Sequence, residues 1–222
     1  MKALFDRLMA RVLKANPLDL ETWVRGALIQ FFFHTSDKAR IEVFGEGRKT
    51  INVITPTVFK GMGRIRLSTT TVFGVPRSPG SYGCSYVESR TPHSCIQIGA
   101  GTVFNNRAVI LSEGASITFG ERCLVGPELN VMDSNSHQLE LPNRTQPDAN
   151  PRPVHIGNDV FIGSRVTILK GARIGNGCVI SAGTVVTPNF EAPDMSIVAG
   201  NPCRIVGRVK DSAPAVAIAV PA

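Results

Sequence analysis

One histidine lies at the boundary between two kinds of sequence. His137 ends the run MDSNSH, and the stretch that follows, through His155, is polar and rich in proline. An imidazole has a pKa of about 6.5, so it can accept a proton from a hydroxyl near neutral pH and pass it to a departing group. Asp133, four residues earlier, could orient that imidazole or stabilise its cation. The competing interpretations are a solvated loop histidine and a turn aspartate that satisfies its own backbone.

The sequence on either side of this stretch repeats every six residues. From Ile156 it reads IGNDVF, IGSRVT, ILKGAR, IGNGCV, ISAGTV and VTPNFE, with an aliphatic residue at the first position of each hexad. An α-helix, with about 3.6 residues per turn, would spread these aliphatics around its surface, and an alternating strand would not need a small residue at the second position. The same phase appears upstream from Ile98 and, after a slip of three residues, from Phe119.

A six-residue period fits a chain that runs straight, turns a corner and runs straight again. Three such hexads close one triangular coil, and stacked coils pair their backbones in parallel and bury a column of aliphatic side chains. The small second residue relieves crowding near each corner. The hexads therefore predict an all-β protein built as a parallel β-helix.

The segments outside this stack predict different structure. We expect a helical N-terminal extension over residues 1–38, the β-helix over 39–209 with a loop extruded over 137–155, and a flexible tail over 210–222. A second excursion is expected over 74–95. The basic N-terminal helix has two interpretations: it caps the open end of the stack, which we favour, or it makes a peripheral contact with a membrane surface.

The composition narrows the function classes. The chain has 222 residues and a net charge of +7, but it has no arginine-rich run with interleaved aromatic residues, which argues against nucleic acid. Its cysteines form no CxxC pair, and it lacks three histidines spaced to converge on one zinc ion, so we expect no bound metal. We expect reduced, mostly buried thiols and a cytoplasmic location. The cysteines are Cys84, Cys95, Cys123, Cys178 and Cys203.

The run IGNDVFIGSRVTILKGARIGNGCVISAGTVVT, followed by VAGNPCRIV, resembles the hexapeptide-repeat acyltransferases. Within that family it is similar to the galactoside and maltose O-acetyltransferases and their polysaccharide-modifying relatives. The resemblance covers roughly residues 95–209. It implies a left-handed parallel β-helix, a homotrimer with each active site in the cleft between neighbouring subunits, and acetyl-CoA as the cosubstrate.

The resemblance also implies roles for individual residues. His137, which opens the extruded loop, would be the catalytic base, and Asp148 would contact the sugar. Asn105 and Asn106, on the coil below the loop, have two interpretations, namely contact with the acceptor or a structural ladder. Acetyl-CoA would lie along the stacked coils. The chemistry itself requires a donor to the tetrahedral oxyanion, and a backbone N–H near Gly163 or Ser164 is the candidate. The contacts of acetyl-CoA would be Gly163, Ser164, Ala182, Thr187 and the region 201–204, where Arg204 either meets a CoA phosphate or is simply exposed.

This chain departs from the family pattern at two positions. Phe161 stands where the family often has a tryptophan, and Pro188 stands where it often has a lysine. Neither departure removes the chemistry, but both concern the details of the contacts with CoA and with the acceptor.

The function implied is acetyl transfer from acetyl-CoA to a saccharide hydroxyl in surface polysaccharide biosynthesis. With both substrates in one cleft, no covalent enzyme intermediate is required. One alternative is N-acetylation of a nucleotide-linked amino sugar, which would usually bring a nucleotide-binding βαβ segment that residues 1–40 do not show. Another is a non-catalytic β-helix that serves as a scaffold.

Overall fold

The computed structural model describes residues 40–47, 51–81 and 83–210, together with the single positions 24 and 28. Apart from residues 24, 28 and 210, the predicted N-terminal helices and C-terminal tail lie outside the described residues. Within the described part, regular structure is almost entirely short β-strand, with one 3-10 helix at Leu141–Asn143. No helix in this part is both long and apolar enough to cross a bilayer.

The described strands follow one another at short intervals. In chain order they are β1 (Arg40–Phe44), β2 (Asn52–Val53), β3 (Thr57–Gly61), β4 (Arg64–Ser68), β5 (Val72–Phe73), β6 (Ser85–Ser89), β7 (Cys95–Ile98), β8 (Val103–Phe104), β9 (Val109–Ser112), β10 (Ser116–Phe119), β11 (Leu124–Val125), β12 (Asn130–Met132), β13 (Val154–Ile156), β14 (Phe161–Ile162), β15 (Thr167–Ile168), β16 (Arg173–Ile174), β17 (Val179–Ile180), β18 (Val185–Val186), β19 (Glu191–Ala192), β20 (Ser196–Ala199) and β21 (Arg204–Arg208).

Every third strand belongs to the same sheet, which makes the molecule a stack of three-sided coils. Sheet A has the order β1-β4-β7-β10-β13-β16-β19, sheet B has β2-β5-β8-β11-β14-β17-β20-β21, and sheet C has β18-β15-β12-β9-β6-β3. The pairs are parallel, except that β21 turns back antiparallel beside β20. The prediction of an all-β parallel coil is confirmed, and the arrangement is consistent with the left-handed turn that the resemblance implies.

The first position of each hexad lies in the core, as predicted. Ile156 pairs with Ile174, and Ile162 pairs with Ile180, so equivalent side chains stack from coil to coil. Burying an isoleucine contributes about 1.5–3 kcal/mol, so this column stabilises the stack. All six are 1% exposed or less: Ile156, Ile162, Ile168, Ile174, Ile180 and Val186.

The other hexad positions form the corners between sheets. A Cβ atom on Gly163, at the second position, would lie 2.5 Å from the backbone nitrogen of Ala182 in the next coil, so a small residue is required there. The fourth position takes a positive φ, which favours glycine and asparagine. The residues at the fourth position, a constraint that the hexad analysis missed, are Asp159, Arg165, Gly171, Gly177, Gly183 and Asn189.

Two excursions leave the stack, and both are shorter or shifted relative to the predictions. The first spans residues 74–84 and not 74–95, because Ser85–Ser89 forms a strand paired with β3 and β9. The second spans residues 133–153, since β13 already begins at Val154. It connects sheet C to sheet A, and we call the corner that it leaves the C–A corner; the corner between sheets B and C is the B–C corner.

The free cysteines agree only in part with the prediction of buried thiols. Cys123, Cys178 and Cys203 are buried, whereas Cys84 is exposed and Cys95 is partly exposed. Burial raises the pKa of the Cys123 and Cys178 thiols, which keeps them protonated near neutral pH.

Candidate active site

His137 lies in the excursion at the C–A corner, where the two arms of the loop come together. Its backbone forms an antiparallel bridge with Pro147, and the Gln138 N–H donates to the Gln146 carbonyl at 3.0 Å. The side chain is exposed. Among the described residues no side chain occupies its ring nitrogens. The histidine is therefore held by its backbone while its imidazole remains available for proton transfer.

Asp133, at the start of the loop, is completely buried, and its carboxylate binds the neighbouring coil. Its carboxylate accepts hydrogen bonds from the Ser112 hydroxyl at 2.7 Å and from the Glu113 and Ala115 N–H groups at 2.7 and 2.9 Å. These bonds occupy both oxygens. The geometry thus favours an anchoring role for Asp133 over the predicted contact with the imidazole of His137.

Asp148, at the end of the loop, is also engaged. Its carboxylate accepts from the Lys170 ammonium at 2.6 Å, from the Asn135 N–H at 2.8 Å and from the Asn150 N–H at 3.0 Å. Burial alone would raise the pKa of Asp148, but these donors outweigh it and lower the pKa to about 2. Since its side chain is only 7% exposed, the geometry does not support the predicted sugar contact.

Lys170 is a functional candidate that the sequence reasoning missed. It occupies the third position of the hexad ILKGAR, one coil beyond the loop and at the same C–A corner. The available signal was a charged residue among hexads whose third position is otherwise Asn, Ser, Ala or Pro. Its partner, 22 residues away, is not apparent from the repeat.

The two asparagines on the B–C corner differ in their surroundings. Asn106 is completely buried, and its amide donates to the carbonyls of Val75, Ser78 and Pro79 and accepts from the Val75 N–H. The predicted acceptor contact therefore does not fit Asn106, which anchors the excursion 74–84. Asn105 is partly exposed, and its side-chain oxygen accepts only from the N–H of Asn106.

The residues expected to contact acetyl-CoA fall in three places. Gly163, Ser164 and Ala182 lie on the B–C corner in successive coils, where the Gly183 N–H donates to the Ser164 carbonyl at 2.9 Å. Thr187 follows β18 on the C–A corner, and Arg204 is exposed on β21. The fold thus brings together the three residues on the B–C corner, but it places Thr187 and Arg204 elsewhere.

The Gly163 N–H is already used within the stack. It donates to the Ile180 carbonyl at 2.8 Å and so is not free to bind an oxyanion. No carbonyl of the described coils takes the Ser164 N–H. Of the two predicted donors, only the Ser164 N–H is therefore available to bind an oxyanion.

Exposed apolar side chains lie beside these residues on sheet B. Phe161, which stands where the family often has tryptophan, is 50% exposed, and its strand partner Leu124 is 54% exposed. An open groove of about 570 Å³ lies elsewhere, on sheet A and the corner that follows it, and includes His155, Arg173 and Glu191. Among the described residues, no cluster of three or more His, Cys, Asp or Glu side chains is placed to hold a metal ion.

Comparison with known proteins agrees with this architecture. Residues 153–188 match the family model for the hexapeptide repeat of succinyl-transferase. The chain is 32% identical to the galactoside O-acetyltransferase of Escherichia coli over 118 residues, 53% of this chain and 56% of that protein. It also spans 60% of a putative acetyltransferase of Saccharomyces cerevisiae and 39% of one of Staphylococcus aureus, so the chain covers only part of the length of these relatives.

Solved structures extend the comparison. A hexapeptide-repeat-containing acetyltransferase from Vibrio cholerae is 35% identical, with 54% of this chain and 69% of that chain covered and a TM-score of 0.48. The same protein has been solved in complex with acetyl-CoA. A polysialic acid O-acetyltransferase shares the fold at 19% identity, with 82% of this chain and 94% of that chain covered and a TM-score of 0.56. The repeat match and the identity to curated acetyltransferases show that this chain belongs to the hexapeptide-repeat acetyltransferases.

Proposed function

We propose that the protein transfers the acetyl group of acetyl-CoA to a hydroxyl of a saccharide, with His137 as the general base. The observation that carries the proposal is an exposed imidazole with unoccupied nitrogens, held on an ordered loop beside the repeat coils. Relatives named for galactoside and polysialic acid O-acetylation support a saccharide acceptor. The complex of the Vibrio cholerae relative supports acetyl-CoA as the donor.

The proposed reaction needs no covalent intermediate with the enzyme. His137 accepts the hydroxyl proton as the hydroxyl oxygen attacks the thioester carbonyl, and a tetrahedral oxyanion forms. The Ser164 N–H is the candidate donor to that oxyanion. The carbon–sulfur bond then breaks, and the imidazolium returns its proton to the CoA thiolate. The products are an acetyl ester and CoA.

We further propose a left-handed homotrimer in which each site combines two subunits. His137 and Thr187 lie on the C–A corner, whereas Ser164 and Ala182 lie on the B–C corner, so sheet C separates the two sets within one chain. A neighbouring chain that brings its B–C corner to this C–A corner would complete the site. The exposed Phe161 and Leu124 support such contact, because exposed apolar residues grouped together often mark an interface.

We also propose that the protein works in the cytoplasm, in the synthesis of a surface polysaccharide. All five cysteines are free, which suits a reducing compartment. Contact with a membrane through the N-terminal segment remains a prediction, because that segment lies outside the described residues.

The test is a transfer assay with purified protein, acetyl-CoA and a panel of saccharides, in which CoA release is followed with a thiol reagent. We expect acetylated saccharide from the wild-type protein and very little from His137→Ala. Mass spectrometry before and after mild base separates an ester, which is lost, from the amide that an N-acetyltransferase would make. A scaffold would show neither product, and acetyl-CoA would not raise its melting temperature. An amide product would contradict the proposal, and so would the absence of both products together with an unchanged melting temperature.

A further inference from the structure

We propose that the ion pair between Lys170 and Asp148 positions His137 for acetyl transfer, which makes Lys170 a positioning residue of the reaction. This inference rests on the proposed function, since it concerns the residue assigned there as the base. It departs from the sugar-binding role predicted for Asp148.

The first step of the argument is that Asp148 holds the three residues that precede His137. Its Oδ2 accepts from the Asn135 N–H at 2.8 Å and from the Ser134 hydroxyl at 3.4 Å, and its own N–H donates to the Ser136 carbonyl at 3.3 Å. Within this segment the Ser136 N–H donates to the Ser134 hydroxyl, and Ser136 has a φ of +63°. The segment that leads into His137 is therefore held largely by Asp148, through both its carboxylate and its backbone N–H.

The second step is that Lys170 ties this carboxylate to the stack. Its Nζ donates to Asp148 Oδ2 at 2.6 Å and to the Asn150 carbonyl at 3.1 Å. Next to it, the Gly171 N–H donates to the Arg152 carbonyl at 3.2 Å. Lys170 belongs to the corner after β15, which is part of the regular coils. Its ion pair therefore attaches the loop to the stack.

The third step is that this pair is shielded from solvent. The side chains of Lys170 and Asp148 are 13% and 7% exposed, whereas those of Arg122 and Asp159, which pair between coils at another corner, are 56% and 53% exposed. Screening by water and salt weakens an exposed pair, but a shielded carboxylate that loses its cation is left uncompensated. Removal of the Lys170 charge should therefore disturb Asp148 and, with it, residues 134–136.

Apart from the bridge between His137 and Pro147, which begins after residues 134–136, the other anchors of the loop lie at its ends. Asp133 binds the corner at 112–115, and the Arg152 guanidinium donates to the Asn189 side chain at 2.8 Å. Both act at the ends of the excursion. Loss of Lys170 should thus leave the loop attached while it frees the approach to His137.

The experiment compares Lys170→Met, Asp148→Asn and the double variant with Arg122→Met, the matched control at an exposed pair. For Lys170→Met we expect kcat to fall about 10- to 100-fold while the KM for acetyl-CoA changes by less than about 2-fold, because a misplaced base affects turnover and not binding. The double variant should be no slower than Lys170→Met, since both changes act through one interaction. Arg122→Met should keep wild-type kinetics.

Amide hydrogen exchange supplies a measurement that does not need turnover. Peptides that cover residues 134–148 should exchange faster in Lys170→Met than in the wild-type protein, and core peptides from β16 to β18 should not. Unchanged exchange, an unchanged kcat, or additive losses in the double variant would overturn the inference. If the wild-type protein transfers no acetyl group but exchange in the loop still rises, the proposed function fails and the pair remains only an anchor of the loop.

Discussion

Residues 154–192 and residues 133–153 lie side by side, yet different interactions hold them. In the coils, parallel backbone ladders and one buried column of aliphatic side chains repeat from turn to turn, as in Ile162 against Ile180. In the loop few backbone ladders form, and individual side chains make the decisive contacts, as in Asp148 with Lys170. A solenoid of this kind stores stability in its repeats and can leave the chemistry to the segment that interrupts them.

The largest effect is expected from a substitution that removes the proposed base and leaves the coils unchanged. His137→Ala should lower kcat by about 10²- to 10⁴-fold, the usual contribution of a positioned general base. Its melting temperature should stay close to that of the wild-type protein, because the side chain is exposed. Transfer assays and thermal melts measure the two quantities. A variant with full activity would show that the loop does not supply the base.

The opposite change removes stability from the coils. Ile162 is completely buried, so Ile162→Ala should lower the free energy of unfolding by about 2–5 kcal/mol, measured by urea denaturation. Leu139→Ala is the control within the loop, where the side chain is 68% exposed and the cost should be within about 0.5 kcal/mol. Equal losses in the two variants would contradict the contrast between coil and loop.

Corner geometry can be tested with two glycines. Gly163→Ala should cost about 1–3 kcal/mol, because the new methyl group would meet the backbone of Ala182 and that coil must shift. Gly183→Ala meets no atom within 4 Å and bears only the cost of its positive φ, so it should destabilise the protein less. Urea denaturation of both variants measures the difference, and the reverse order would show that contact between coils does not select the glycine.

The smallest effect concerns pH and sharpens the description of the loop. The pKa of Asp148 is about 2 in the folded protein, below its ordinary value of 3.8. A carboxyl whose pKa is lower in the folded state stabilises that state at pH values above its pKa in the unfolded chain. This contribution is lost as the pH falls through the pKa in the folded protein. This contribution should therefore disappear between roughly pH 4 and pH 2. In Asp148→Asn this part of the pH dependence of the free energy of unfolding should be missing. If the variant and the wild-type protein lose the same stability in acid, other groups are responsible for the loss.

The sequence predicted the coils far better than the contacts of the loop. The hexad period follows from the geometry of a three-sided coil, so the buried column and its register could be read directly. Asp133 and Asn106 were harder, because an aspartate or asparagine has the same appearance in sequence whether it binds a substrate or a backbone. Asp133 meets Ser112 21 residues earlier, and Asn106 meets Val75 31 residues earlier. No local pattern links those positions.

By itself, the sequence determined the three-sided stack and the position of an unusual histidine, because both follow from a short repeat and its interruption. Tertiary structure alone decided which polar groups remain available for a ligand. It buries Asn106 and engages Asp148 with Lys170, while it leaves His137 exposed and Asn105 partly exposed. The physical reason is that a buried polar group must find a partner, and here those partners come from other coils of the stack.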